Sequence, residues 1–216
     1  MRPWSYSRLS TYEECPKQFW YSYIEKLPGF RPPSPAADRG TEIHGKAEEY
    51  LLGKIQLYPH ELQKVAAHAM GLKARHAKPE QRLAVKEDWS PTDYYDKDAY
   101  FRAIVDILYP EDRTIHVQDW KTGQIYDSHP VQLEQYVAVV AAHYPDAERY
   151  TTRLVYIDQG LVSKPRTIES GMIKGIRIML DGRIKNAEAD TIYPVRSGSH
   201  CKWCDYSSRH GGPCPH

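Results

Sequence analysis

The segment Val-Gln-Asp-Trp-Lys-Thr-Gly at residues 117–123 constrains this chain more than any other stretch. It closes a β-rich run that begins at Thr114, and the Thr-Gly pair is typical of a turn. Because residues i and i+2 of a strand share a face, Asp119 and Lys121 are predicted to lie side by side, with Trp120 opposite. An isolated pair of this kind is most often a surface ion pair.

The run before it, residues 99–109, favours a site over a surface ion pair. Asp106 lies in this mostly apolar strand, and a carboxylate in such a setting normally has a partner. If the two strands form a hairpin about residues 110–113, Asp106 and Asp119 converge near Lys121. Two carboxylates beside an amine suit a divalent cation and an activated water. The alternation predicts one face made of Phe101, Ala103, Val105 and Ile107.

At these residues the chain resembles the PD-(D/E)XK nuclease superfamily, specifically its RecB-like branch, which includes AddB-type and CRISPR-adaptation nucleases. In that branch an aspartate-bearing strand precedes a strand that ends in D-x-K-T/x-G, as Asp106 and residues 119–123 do here. The resemblance implies an α/β fold, with a restriction-endonuclease-like core and a central mixed sheet flanked by helices. It also implies that the Trp120 main-chain carbonyl is a metal ligand beside the two aspartates.

Two further motifs of the branch have counterparts earlier in the chain than these two strands. The helix predicted from 41 to 52 follows Arg39-Gly40 and resembles the G-T-x-x-H motif, which makes His44 a metal ligand. Taken alone, His44 would be an ordinary half-buried histidine. Glu80, ahead of the strand predicted at 82–85, corresponds to a family glutamate near the metals, with Glu87 as its local competitor.

A third motif lies on the helix predicted from 130 to 144, where Pro130 suits the first turn. Gln132 and Tyr136 are four residues apart and share a helix face, which by itself predicts a polar edge on a core helix. At this interval after D-x-K-T-G they resemble the Q-x-x-x-Y motif, which lies along the active site and contacts DNA.

The four cysteines predict a metal centre, because Cys201 and Cys204 form a C-x-x-C pair with Cys214 soon after. Zinc could be held locally by Cys201, Cys204 and two of His210, Cys214 and His216. A 4Fe-4S cluster could instead recruit Cys15, which lies where Pro16 divides two short helices. The resemblance favours the cluster, since iron-sulfur members of the branch have one cysteine before the nuclease core and three after it. The last spacing is longer here, and His210 falls near the expected cysteine.

Length and composition predict one ordinary globular domain. The chain has 216 residues, 41% hydrophobic and 26% charged, with a net charge of +1, so a nucleic-acid surface must come from local clustering. We expect a single domain over 1–216, with a catalytic core at 38–188 and an iron-sulfur subregion formed by 1–27 and 190–216. The lack of an apolar membrane span or signal sequence predicts a cytoplasmic protein of a prokaryotic or phage-infected cell.

The expected activity is that of an Mg2+- or Mn2+-dependent DNA exonuclease acting on linear ends or single strands, with a structural 4Fe-4S cluster. The predicted catalytic residues are Glu80, Asp106, Asp119, Lys121, Gln132 and Tyr136. A zinc-stabilised, non-catalytic nucleic-acid-binding module remains an alternative. Another is a nuclease-fold subunit that acts with a helicase or recombination partner.

Overall fold

Two long antiparallel strands, β4 (Phe101–Glu111) and β5 (Thr114–Lys121), form the centre of the sheet in the computed structural model. The structure describes residues 3–32, 34–56 and 58–216. Met1 and Arg2, which the N-terminal predictions include, lie outside the described residues. The other strands are β1 (Trp4–Ser5), β2 (Lys78–Val85), β3 (Pro91–Thr92), β6 (Arg149–Tyr156), β7 (Leu161–Val162) and β8 (Arg166–Glu169).

The eight strands form one mixed sheet in the order β3-β2-β4-β5-β6-β7. β2 and β5 each run antiparallel to β4, whereas β6 runs parallel to β5 and places Tyr156 beside Lys121. β1 pairs with β4, and β8 pairs with β6. The predicted mixed α/β fold with a central sheet flanked by helices is therefore confirmed.

The helices cover both faces of the sheet. They are α1 (Tyr6–Glu14), α2 (Pro16–Phe19), α3 (Pro35–Leu51), α4 (Ala66–Ala74), α5 (His129–His143) and α6 (Ile173–Ala189). A π-helical turn at Trp20–Ile24 continues α2, and 3-10 segments lie at His60–Val65, Ser170–Met172, Ser199–Trp203 and Ser208–His210. None of the helices in the described ranges has the length and apolar character needed to cross a bilayer.

Proline and serine set the helix starts near the N-terminus. The Ser5 hydroxyl accepts the Arg8 main-chain N–H at 3.2 Å and caps α1, and Pro16 begins α2 directly after Cys15. Cys15 thus lies between two helices, as the sequence indicates. α3 begins at Pro35, six residues before the predicted start at Thr41, because proline also fits the first turn of this helix.

Two apolar clusters hold the helices against the sheet. One lies under α1, α2, α5 and α6 and includes Val105, Leu108 and Val117. The other lies under α3 and α4 and includes Ile107 and Trp120. Central α5 is buried on nearly every side from Leu133 to Ala141, so it forms a core element of the first cluster.

The predicted face of β4 is wrong at Ile107. Phe101, Ala103 and Val105 pack in the first cluster as expected, but Ile107 packs in the second and Leu108 joins the first. The alternation therefore shifts by one residue at Asp106. The physical reason is that the β4–β5 pairing ends at Ile107–Gln118, and the Asp106 side chain replaces a ladder partner by accepting the Trp120 N–H.

The shortest strands escaped prediction. β1, β3 and β7 have two residues each, and β8 has four. Segments this short contain too few positions for an alternation to be recognised. The periodic apolar residues from 59 to 77 predict one continuous helix, but the residues before α4 form a separate 3-10 segment.

Candidate active site

The end of β5 places the acid and the amine of the D-x-K segment on one face of the sheet. Lys121 Nζ lies 2.6 Å from Asp119 Oδ2, an ion pair between an almost fully buried carboxylate and a lysine side chain that is 18% exposed. The strand stops where Gly123 adopts φ +81°, a left-handed backbone that glycine takes without strain. The predicted pair of side chains is therefore present at a strand end.

Gln132 of α5 joins this pair to the helix. Its carbonyl oxygen accepts a hydrogen bond from Lys121 Nζ at 2.8 Å. Its amide nitrogen donates to Asp119 Oδ1 at 3.2 Å and to the Tyr136 hydroxyl at 2.7 Å. The four side chains form one continuous network, which fixes both the carboxylate and the ammonium from the helix side.

Asp106 lies across from the motif on the neighbouring strand. The β4–β5 register places it opposite Asp119, and its Oδ2 accepts the Trp120 main-chain N–H at 2.8 Å. Its side chain is 8% exposed. The two aspartates thus converge as the hairpin prediction requires.

His44 and Glu80 complete a group of oxygen and nitrogen ligands around Asp106. One ligand atom from each of His44, Glu80 and Asp106 lies within 4.8 Å of the other two. His44 comes from α3, with its Nδ1 3.5 Å from Asp106 Oδ2. Glu80 comes from β2, whose register with β4 places it opposite Asp106.

Glu80 has an unusual backbone for a strand residue. Its φ is +48°. The residues on either side pair with β4, as Pro79–Ile107 and Gln81–Val105, but Glu80 itself forms no backbone pair with β4. A left-handed conformation costs a non-glycine residue roughly 1 kcal/mol or more. The competitor Glu87 is exposed in the turn after β2, away from this group.

The electrostatics of this group favour a cation. Burial raises the pKa of the Asp106 carboxyl well above its usual range, and the charges of Asp119 and Glu80 raise it further. Burial also raises the pKa of Glu80, with Glu48 and Asp119 acting in the same direction. A bound divalent cation would offset this repulsion.

His44 is suited to ligation because it is neutral at pH 7. Burial lowers the pKa of its imidazole, and the nearby Lys121 lowers it too, against opposing effects of Asp119 and of a hydrogen bond to the Trp120 main chain. That last contact brings the Trp120 main chain beside His44. The Trp120 indole points away and packs in the second cluster.

Close packing of α3 on the end of the motif depends on Gly40. A Cβ at this position would lie 3.2 Å from the Thr122 hydroxyl, so glycine lets the helix approach the loop. A cleft of about 480 Å³ runs along this face of α3. It is lined by Ala37, Gly40, Thr41, His44, Gly45, Glu48 and Glu80.

Two acids near the site have no role in the sequence-based assignment. The spacing of Glu48, four residues after His44, places it on the same helix face, and it lines the cleft. Asp158, after β6, accepts two hydrogen bonds from Arg39 at 2.6 and 3.0 Å and one from the Gly123 N–H at 2.7 Å. It therefore ties the loop after the motif to α3, a role that no local pattern indicates.

The cysteines lie apart from this site and near one another. Cys15, Cys201, Cys204 and Cys214 line one pocket between α2 and the C-terminal turns. His200 and His216 also line it, whereas His210 Nε2 contacts the Lys202 carbonyl. Among the described residues, no three sulfur or imidazole atoms of this region come within 4.8 Å of one another.

A protein family and several solved structures are similar to this chain. No curated protein matches the chain. Among solved structures, that of SSO0001 is similar, with 14% sequence identity, a TM-score of 0.45, and coverage of 96% of this chain and 84% of that chain. The model of the PD-(D/E)XK nuclease superfamily matches residues 3–209. The chain therefore belongs to the PD-(D/E)XK nuclease superfamily.

Proposed function

We propose that the protein is a metal-dependent DNA exonuclease of the RecB-like branch, which hydrolyses phosphodiester bonds at linear ends or in single strands. The observation that carries the proposal is the convergence of four ligand side chains and one lysine where the β4–β5 pairing ends. His44, Glu80 and Asp106 share one small volume, and Asp119 with Lys121 adjoins it. Members of the superfamily are mostly metal-dependent nucleases.

The residues present fit a hard divalent cation. Two buried carboxylates, a half-buried glutamate and a neutral imidazole match the donors that Mg2+ and Mn2+ accept. We assign His44, Glu80, Asp106, Asp119 and the Trp120 main-chain carbonyl to this ligand set. When bound there, the cation would polarise the phosphate and help to activate a water.

We assign to Lys121 the stabilisation of negative charge on the phosphate during cleavage. Its ammonium is held by Asp119 and by Gln132, so it enters the reaction already oriented. A fixed positive charge at this position stabilises the negative charge that develops on the phosphate. Gln132 and Tyr136 position the lysine and border the path of the substrate.

We further propose that Cys15, Cys201, Cys204 and Cys214 hold a structural 4Fe-4S cluster. All four line one pocket, which supports a shared centre. Cys15 lines the same pocket as the three C-terminal cysteines, which supports the four-cysteine cluster over zinc held by the C-terminal residues alone.

The test is anaerobic purification followed by iron, sulfide and zinc analysis and by incubation with linear DNA and Mn2+. We expect a coloured, iron-containing protein that shortens DNA from its ends. A colourless zinc protein that binds DNA without cutting it would refute both assignments and support a binding module. Cleavage that requires an added helicase would instead support a subunit of a larger nuclease.

A further inference from the structure

An aromatic group adjoins Lys121 on the side away from the metal ligands. Tyr156 of β6 is the parallel-strand partner of Lys121, so the phenol ring stands next to the ammonium on the same sheet face. His129, the first residue of α5, lies with its Nδ1 3.3 Å from the Tyr156 hydroxyl. Neither residue belongs to the motifs of the sequence.

Tyr126 extends this group into solvent. Its ring meets that of His129 edge-on at a centroid distance of 5.4 Å, and His129 in turn lies 5.8 Å from the Tyr156 ring. Tyr156 is 5% exposed, whereas Tyr126 is 56% exposed. The three rings therefore form a continuous group that runs from the half-buried Lys121 to the surface.

The loop that carries Tyr126 is fixed at both ends. Asp158 binds the Gly123 N–H, and Gln159 Nε2 donates to the Gly123 carbonyl at 2.5 Å. At the other end, the His129 N–H donates to the Tyr126 carbonyl at 3.2 Å. Because the loop is already held in place, little conformational entropy is lost when a flat ligand stacks on the exposed Tyr126 ring.

The outer part of the group, at Tyr126, lies on the surface. Ile125 and Val131 are also exposed beside it, at 52% and 39%, so this side of the site presents rings and aliphatic surface next to a fixed cation. A nucleotide has a charged phosphate and a flat base. The lysine suits the phosphate, and the neighbouring rings suit the base. Unpaired bases offer free ring faces, whereas bases in a duplex are already stacked on one another.

We propose that Tyr126 and His129 form a stacking platform for unpaired bases of a single-stranded nucleic-acid end beside the phosphate that is cleaved. The inference rests on the proposed nuclease function for the position of the phosphate. It goes further by assigning the substrate class to residues outside the catalytic motifs. Tyr156 contacts His129 on one side and lies next to Lys121 on the other, so it connects the platform to the lysine.

Fluorescence of 2-aminopurine tests the platform without requiring cleavage. Single-stranded oligonucleotides with 2-aminopurine at successive positions from one end are bound to the Lys121→Ala protein with Mn2+, and Kd is measured by anisotropy. We expect quenching at one position near the end. Tyr126→Ala in the same background should abolish that quenching and weaken binding at least about fivefold, while Tyr126→Phe retains both.

Two controls separate stacking from other effects. Tyr95 is an exposed tyrosine of the β3–β4 connection, 70% exposed, and Tyr95→Ala should leave Kd and quenching unchanged. Blunt duplex DNA should lose little affinity in Tyr126→Ala. Unchanged single-strand binding in Tyr126→Ala, or an equal loss on duplex, would overturn the inference. Lack of DNA cleavage by the unaltered protein would instead refute the proposed function, since quenching is read without cleavage.

Discussion

Gln132 donates an amide hydrogen to Asp119 Oδ1, so a residue of α5 holds the carboxylate at the end of β5. The same side chain accepts from Lys121, which means that one amide sets the distance between acid and amine. The amide serves both because it contains a donor and an acceptor. A carboxylate at this position would have no donor.

We therefore expect Gln132→Glu to lower kcat about 100-fold, a size typical of losing one fixed donor in an active site. The introduced charge also repels Asp119, so Gln132→Ala should be the milder change. Cleavage of linear DNA under single-turnover conditions measures the effect. Gln63→Glu adds the same charge on an exposed position and should have normal kcat. Equal activity of Gln132→Glu and Gln63→Glu would contradict the network's role.

Lys121→Ala should abolish cleavage while leaving DNA binding and cysteine-bound metal intact. Loss of a preorganised charge near the phosphate predicts a decrease of at least about 100-fold in kcat. Exposed Lys54 provides the matched control, since Lys54→Ala removes one positive charge from the surface alone. Retained cleavage in Lys121→Ala would exclude this residue from the mechanism.

Asp106→Asn should stabilise the metal-free protein and remove its response to Mn2+. The pKa of Asp106 is raised by burial and by its acidic neighbours, so its ionised form opposes folding at every pH above the unfolded pKa. Asparagine retains an acceptor for the Trp120 N–H. We expect the free energy of unfolding to rise by about 1 kcal/mol. Adding Mn2+ should raise the Tm of the unaltered protein but not that of Asp106→Asn, and a further rise in the Tm of Asp106→Asn on adding Mn2+ would contradict the ligand assignment.

The Arg39–Asp158 pair predicts a specific acid sensitivity. Hydrogen bonds from Arg39 lower the pKa of Asp158, so its contribution to stability is complete above the unfolded pKa and is lost as the pH falls through the lower, folded pKa. Asp158→Asn should reduce the free energy of unfolding by about 1 kcal/mol at pH 7. Chemical unfolding at a series of pH values should show the two proteins converging below about pH 4. A constant difference down to pH 2 would refute this.

The cysteine assignment predicts that Cys15→Ser loses the visible absorption of the purified protein. Closing the long loop from Cys15 to Cys201 should contribute on the order of 5 kcal/mol in a chain-entropy model, so Tm should fall sharply as well. His210→Ala serves as the comparison, since His210 lies outside the cysteine pocket. Loss of metal from His210→Ala, with retention in Cys15→Ser, would favour local zinc.

Part of the fold and of the site was predictable from the sequence alone. The central hairpin was predictable because β4 and β5 are long and apolar, and the D-x-K spacing placed Asp119 and Lys121 on one face. The convergence of His44 and Glu80 came from the family resemblance, since neither residue is distinctive by itself. The roles assigned to these residues stay predictions.

Other features depend on contacts between distant segments and so leave no local pattern. Asp158 meets Gly123 and Arg39 only because β6 runs parallel to β5 beside α3. The error in the predicted face of Ile107 has a similar cause. The shift at Asp106 arises from a hydrogen bond to a main-chain group on another strand, which an alternation pattern within one strand does not reveal.

The shift at Asp106 has a mechanical consequence for the whole molecule. Residues before it are packed with one helical layer and Ile107 after it with the other, so β4 is anchored in both cores within three residues. The backbone that carries the Asp106 carboxylate is therefore packed against both helical layers, so displacing this acid would require repacking on both faces of the sheet.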